Sequence, residues 1–357
     1  MAQESRPRVE AIDVAERSVS ELLGAMGRTA YQGRTLAEAA QIWSEMLAQP
    51  DLTIVLGLAG SMSTAGQWKM INWLIESRFV DVVVSTGANV SEDVVEAMGA
   101  TYWQGSAHAD DRALLADDLN RYYDVLGKET DYRAMEDLIT EFLVSLPEAS
   151  ILSSMELLHL FGTWLGNRNV NSIAAVAARH QVPVFAPALL DSAYGEAVLM
   201  AQNRGRALVV DQAREFTQFV SIAEHAKHIG VIYLGGGVPK DFTQLLAISV
   251  SPKTNDEPVA GREGTRRKAL KEYYYPHRYA IQITADAPQW GGLSGCTLDE
   301  AISWGKVAAE GRYVTCYCDV TIALPLLTHS LRERVAARRA TPDLRWLFDD
   351  ILRRAGS

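Results

Sequence analysis

Six short stretches carry the residues from which a reaction could be built. They are GLAGSMSTAG (57–66), STGANVSED (85–93), PALLDSAYGE (187–196), GGGVPKDF (235–242), TADAPQWGGLSG (284–295) and CDV (318–320). Each closes an apolar run and is rich in glycine, small polar or acidic residues. Glycine lets a backbone approach a pyrophosphate closely, and a helix start beyond such a loop favours an anion. Singly the loops are weak signals: Gly57, Gly60 and Gly66 lack the G-x-G-x-x-G spacing, and Gly235 to Gly237 alone fit a tight turn. On one edge of one sheet they point to a nucleotide-binding protein and name no reaction. The sharpest stretch, TADAPQWGGLSGCTLDEAISWGK (284–306), ends in a lysine.

The apolar runs must position these loops. LTIVLGLAG (52–60), VDVVVSTGA (80–88), VPVFAPAL (182–189), RALVVD (206–211), HIGVIYLGGG (228–237), YAIQITADA (279–287) and RYVTCYCDV (312–320) read as about seven buried strands. Their density of β-branched residues suits strands covered on both faces. Two helices are expected over 17–49, broken near Gly33. Others are expected over 65–78, 133–145, 153–164 and 170–180, and one follows Ser91 as N-cap. Residues 101–132 read as irregular, and 250–268 as a charged loop. The alternation predicts an α/β fold: a doubly wound, mainly parallel sheet with helices on both faces. Residues 1–16 are expected to be flexible, and 17–357 to form a single domain.

The chain has 357 residues and a formal net charge of −10, so a nucleic-acid partner is not expected. Cys296, Cys316 and Cys318 have neither disulfide nor zinc spacing, and no metal site is expected. No uncharged run reaches membrane-spanning length and no leader is evident, which predicts a cytoplasmic protein.

From 284 onward the chain resembles the deoxyhypusine synthase family, whose signature is a strand, a Gly/Ser loop, an acidic helix start and then Ser-Trp-Gly-Lys. This sequence has Asp299-Glu300-Ala301, then Ser303-Trp304-Gly305-Lys306. The resemblance extends roughly from Val19 to Leu327 and includes, in order, VDVVVSTGANVSED, VPVFAPALLD, YLGGGVPK and CDVTIALPLL.

The resemblance implies a Rossmann-like, NAD-dependent transferase. NAD takes hydride from spermidine or putrescine, a lysine captures the aminobutyl group as an imine (a Schiff base), and an amine acceptor receives it. Lys306 is the implied nucleophile, and Glu92 a proton shuttle near the nicotinamide. Gly60, Ser61, Thr64, Thr86, Gly87, Ala88, Asp191, Gly291, Asp319 and Val320 are implied at the cofactor. Glu196, Asp241, Glu300 and Trp304 are implied at the polyamine. The family also implies a homotetramer with sites at dimer interfaces. The acceptor is either a small amine, giving a homospermidine-type product, or a lysine of a translation initiation factor.

Three departures bear on the substrates. The family places histidine after the lysine of GGGV-x-K, and here Asp241 follows Lys240. Its Gly-Ser-Asp loop is Gly291-Gly292-Leu293, and the segment 247–278 is longer. Asp241 or His277 could stand in for the histidine, although Asp241 could instead cap a helix and His277 could be structural. The basic residues Arg262, Arg266, Arg267 and Lys268 read as a solvated loop or subunit contact. Two other readings stay open: an NAD-dependent amine dehydrogenase, and an inactive regulatory paralogue.

Overall fold

The computed structural model describes residues 7–250, 274–338, 340–349 and 351. Eleven strands occur among them: β1 (Leu52–Leu58), β2 (Val82–Ser85), β3 (Trp103–Gln104), β4 (Leu119–Tyr122), β5 (Val125–Lys128), β6 (Ala149–Leu152), β7 (Val184–Phe185), β8 (Ala207–Val210), β9 (His228–Leu234), β10 (His277–Thr284) and β11 (Val307–Tyr317). The helices are α1 (Val19–Met26), α2 (Tyr31–Ala48), α3 (Trp68–Glu76), α4 (Asn89–Ala97), α5 (Asp111–Ala116), α6 (Glu129–Ser145), α7 (Ser154–Gly166), α8 (Ile173–His180), α9 (Ala193–Asn203), α10 (Gln212–His225), α11 (Gly237–Leu245), α12 (Leu298–Ser303) and α13 (Val320–Arg334).

Six strands form the central sheet in the order β11-β10-β9-β1-β2-β7, every pair parallel. Numbered by their appearance in the chain, these strands run 3-2-1-4-5-6, the dinucleotide-fold order with its switch point between β1 and β9.

The inner strands β1, β2 and β9 are buried along nearly their whole length because both faces are covered, whereas the edge strand β11 carries exposed Glu310 and Arg312. Leu52, Ile54, Leu56 and Leu58 of β1, with Ile232, Leu234, Ile281 and Ile283, face one core that includes Trp43, Ile71, Leu74 and Leu324. The alternate residues Val55, Val82, Val84, Val231, Tyr233 and Ala280 face a second core with Phe219, Ile222, Leu298 and Ala301. This period of two, with helices on each side, is the expected α/β fold.

Several local expectations need correction. RALVVD does not join the central sheet: β8 pairs with β6 in a separate two-stranded sheet. Its outward residues Ala207 and Val209 are exposed, so it is a half-buried ribbon. Residues 101–132 contain α5 and an antiparallel sheet in the order β3-β5-β4. The first two helices break at 27–30, and Gly33 lies inside α2. Helix α4 begins at Asn89 with Ala88 at its cap; Ser91 is internal, its hydroxyl donating to Gly87 O at 3.0 Å. Residues 1–6, most of the 250–268 loop, its four basic residues and much of the 247–278 segment lie outside the described residues.

Candidate active site

Two polar corners contain most of the expected site residues. The first is built by the loops after β1 and β2. Asn89, fully buried, donates from Nδ2 to Gly60 O at 3.0 Å and to Thr86 Oγ1 at 2.9 Å, and its Oδ1 accepts from Met62 N at 2.7 Å. Thr86 Oγ1 donates to Gly60 O at 2.7 Å, so two side chains that follow β2 hold the backbone of the loop after β1. Gly60 has φ +67°, a left-handed conformation that glycine adopts without strain. Thr64 Oγ1 donates to Ser61 Oγ at 2.9 Å, and Ser61 Oγ donates to Glu92 Oε2. Glu92 is 5% exposed; burial raises its carboxyl above the ordinary range, and the Ser61 hydrogen bond opposes that. Gly60 and Thr86, with Asn89, and Thr64, Ser61 and Glu92 thus form two hydrogen-bonded sets joined through the Gly60–Ser61 peptide. Gly87 packs against the loop after β7, where a Cβ would fall 2.4 Å from Ser192 Oγ.

The second corner lies where α11 passes the start of β11. Gly236 caps α11 with no side-chain bond, and Pro239 sits in the first turn, where its missing N–H costs nothing. Gly57 lets this helix lie on β1: a Cβ there would meet Pro239 O at 3.3 Å. Asp241 is therefore inside the helix and does not cap it. Gly305 turns the chain from α12 into β11 with φ +76°. Lys306 is then tied on both sides, its N–H donating to Ala301 O and its carbonyl accepting from His277 N, each at 3.0 Å.

The Lys306 side chain is 13% exposed. Its Nζ donates to Asp241 Oδ1 at 2.9 Å and Gln244 Oε1 at 3.2 Å, and lies 5.7 Å from the centre of the Trp304 ring. His277 beside it is fully buried, and burial pushes its ring down to about 3, so it is neutral. A second amine, Lys240, is 1% exposed. Its Nζ donates to Gln282 Oε1 at 3.1 Å, to Leu293 O at 3.0 Å and to Cys296 O, and burial lowers its pKa. Lys240 therefore fastens the 291–296 loop to α11 and β10.

The remaining expected residues are more dispersed. Asp191 and Glu196 are exposed, beyond β7 and on α9. Asp319 caps α13, accepting from Thr321 N at 2.8 Å, and Val320 is buried behind it. Glu300 is exposed in the first turn of α12, which Thr297 caps by accepting from Glu300 N at 3.1 Å. Among the described residues no hydrogen bond or ion pair joins the Glu92 network to Lys306. Sequence reasoning missed Asn89, Lys240 and Gln244. The only local signal was Gln244 three residues after Asp241, which puts both on one side of a helix.

The switch-point loops fit a dinucleotide. Gly237 and Gly291 have φ +59° and +74°, and a Cβ at either would meet nothing within 4 Å, so open backbone faces the crevice at the start of α11. Gly235, Gly236 and Gly295 instead let protein loops approach one another: a Cβ on Gly236 would fall 2.3 Å from Ser294 Cα. No helix of the described residues is long and apolar enough to cross a membrane.

Comparison with known proteins gives concordant results. A family model described as deoxyhypusine synthase matches residues 21–331. The "probable deoxyhypusine synthase 2" of Methanosarcina mazei is 43% identical over 94% of this chain and 93% of its own. A "deoxyhypusine synthase-like protein" of Coxiella burnetii is 34% identical over 91% and 89%. A crystal structure of an Entamoeba histolytica protein assigned as a deoxyhypusine synthase superposes with a TM-score of 0.60 at 17% identity, covering 89% of this chain and 94% of that one.

Proposed function

Because this chain belongs to the deoxyhypusine synthase family, we propose that it moves an aminobutyl group from spermidine or putrescine to an amine acceptor, with NAD as cofactor and Lys306 carrying the group as an imine. The observation that carries the reading is the placement of Lys306: an amine with little exposure, fixed by backbone bonds on both sides, facing a carboxylate and an indole ring. An imine-forming lysine needs such a fixed approach to the reacting carbon.

The other residues have roles their surroundings support. Trp304, 59% exposed, offers a ring face to an alkylammonium, and Glu300 and Glu196 offer exposed carboxylates for the distal amines. Gly60, Ser61, Thr64, Thr86, Gly87, Ala88 and Gly291 shape the cofactor crevice, with Asp191 and Asp319 as the carboxylates for its riboses. NAD supplies the hydride acceptor. Glu92 has its carboxyl raised by burial and Ser61 as its bonded partner, so it holds a proton more readily than an ordinary carboxylate and can pass one to or from the substrate. Among the described residues the Glu92 and Lys306 corners share no bond, which accords with an assembly, a homotetramer by family analogy, in which a neighbouring copy completes each site.

The test is incubation with NAD, spermidine and putrescine, followed by mass spectrometry of the amines and borohydride trapping. A Lys306 adduct is expected without net NADH accumulation. Homospermidine assigns a small-amine acceptor, and its absence with label on a supplied translation factor assigns a protein lysine. Steady NADH production with an unlabelled Lys306 would show a dehydrogenase instead.

A further inference from the structure

Two lysines lie at α11, Lys240 on the helix and Lys306 bonded to its side chains, and they differ in what receives their protons. Lys240 directs its amine at one amide oxygen and two backbone carbonyls, all neutral, and is 1% exposed. Nothing in that set can take a proton. Lys306 directs its amine at the carboxylate of Asp241, at 2.9 Å, and at the Gln244 amide, at 3.2 Å. Asp241 and Gln244, three residues apart, lie on the same side of α11, so the helix fixes both contacts together. The Asp241 side chain is 37% exposed against 13% for Lys306, so the carboxylate reaches both the amine and the space from which a substrate arrives.

We propose that Asp241 is a further catalytic residue of this site: it accepts a proton from the Lys306 ammonium and returns it to the departing amine. The inference rests on the transferase reading above. Bound NAD would supply the hydride acceptor, and the oxidised substrate would then meet Lys306 as an iminium. Lys306 gives one proton to Asp241, becomes a neutral amine, and adds to the iminium carbon. A carbon–nitrogen bond forms, and the π pair moves to the substrate nitrogen. A second proton passes from the Lys306 nitrogen to that nitrogen in the adduct. The old carbon–nitrogen bond then breaks, its electron pair leaving with the amine, and Lys306 holds the carbon as an iminium. Asp241 returns its proton to the amine, which departs as an ammonium. Protons and charge balance, and Asp241 ends as it began. The distance is within the reach of direct proton transfer.

Among the described residues, the titratable groups near the pair include Lys240 on α11, Tyr233 on β9, His277 on β10 and Cys296 before α12, with Glu300 on α12 beside Lys240 and Cys296. Lys240 has its donors taken by neutral acceptors, and His277 is buried and neutral. Asp241 is the carboxylate in contact with the Lys306 amine.

The experiment separates a proton carrier from a charge lock because the two predict opposite signs. The full-length protein, without cofactor, is treated with butyraldehyde and cyanoborohydride at pH 7, and alkylation of Lys306 is followed by peptide mass spectrometry. Asp241→Asn should alkylate Lys306 at least about tenfold more slowly than wild type, and Asp241→Glu should recover most of the rate. In Asp241→Ala, added formate should speed labelling, a rescue that a purely structural carboxylate would not show. Labelling of Asp241→Asn as fast as wild type, or faster because a locking charge is gone, overturns the proposal, as does an Asp241→Ala protein indifferent to formate. A parallel arm with spermidine and NAD keeps the two readings apart. A normal spermidine adduct with no aldehyde effect of Asp241→Asn removes only the role of Asp241. A clear aldehyde effect with no spermidine adduct removes the transferase reading.

Discussion

Around the loops after β1 and β2, neutral side chains hold backbone in place. Asn89 and Thr86 bond to carbonyls and an amide 26 to 29 residues away, and the carboxylate beside them, Glu92, is bonded to a hydroxyl. Around α11 and the start of β11, amines are held by side chains aimed at them, and one of these bonds joins opposite charges. The first corner is a rigid frame whose shape is its function. The second keeps an ion pair partly exposed, where a cationic substrate can compete for it. The contrast teaches that two residue sets from one motif list can serve different ends, and that shape-fixing residues should be tested by stability and reacting residues by chemistry.

The sharpest way to break this division is Lys306→Ala. Transfer should fall on the order of a thousandfold or more while unfolding free energy changes by less than about 1 kcal/mol. A variant that keeps turnover above a tenth of wild type would place the reacting amine elsewhere.

Asn89→Ala should behave in the opposite way. It strips a buried amide from a network of backbone partners and should cost about 2–3 kcal/mol in urea unfolding. Unchanged unfolding would mean that the first loop is held by something other than Asn89.

Lys240→Met tests whether the second corner also contains a frame. Gln282, Leu293 and Cys296 lose their shared donor, so a loss of about 1–2 kcal/mol is expected, with faster hydrogen exchange over 291–296. The release of a buried cation's desolvation cost keeps the net effect modest. Exchange at wild-type rates would show that Lys240 does not fasten the loop.

The finest test compares the pH dependence of two buried groups, one beside each corner. Asp93, next to Glu92, is fully buried and its carboxyl is raised to about 7, with Oδ2 accepting from Ile173 N. Its folded pKa exceeds the unfolded value of 3.8, so the native state holds more protons between those values, and this group's contribution to stability falls as pH rises from 4 to 7. His277 is the reverse. Its folded value near 3 lies below the unfolded 6.5, so its contribution is complete above 6.5 and is lost as pH falls toward 3. Between pH 5 and 7, Asp93→Asn should gain stability relative to wild type as pH rises. His277→Gln should lose its relative advantage over the same range. Each change should be on the order of 1 kcal/mol. Equal slopes for both variants would contradict the opposite assignments.

The framework of the molecule was written in the order of the residues. Runs such as Leu52–Leu58 are almost wholly apolar, a pattern that suits a strand covered on two sides, and six of the seven expected runs, 52–60, 80–88, 182–189, 228–237, 279–287 and 312–320, lie in one parallel sheet. The lysine after Ser-Trp-Gly was singled out by resemblance to the family's motif, which is a match of consecutive residues and so is visible in the chain order. Pairing was not visible. The run containing β8 has the composition of a central strand yet pairs with β6, because composition sets what a strand needs on its faces and not which neighbour supplies its hydrogen bonds. Nor were Asn89, Lys240 and Gln244 visible as site residues. Their partners lie 27 to 62 residues away, so their roles exist only once the sheet order has brought β1 beside β2 and α11 beside β11. Sequence alone determined which segments are buried and which residue types are reactive. Only the tertiary structure decided which amine faces a carboxylate and which faces neutral carbonyls, because proton transfer depends on contacts that chain order does not specify.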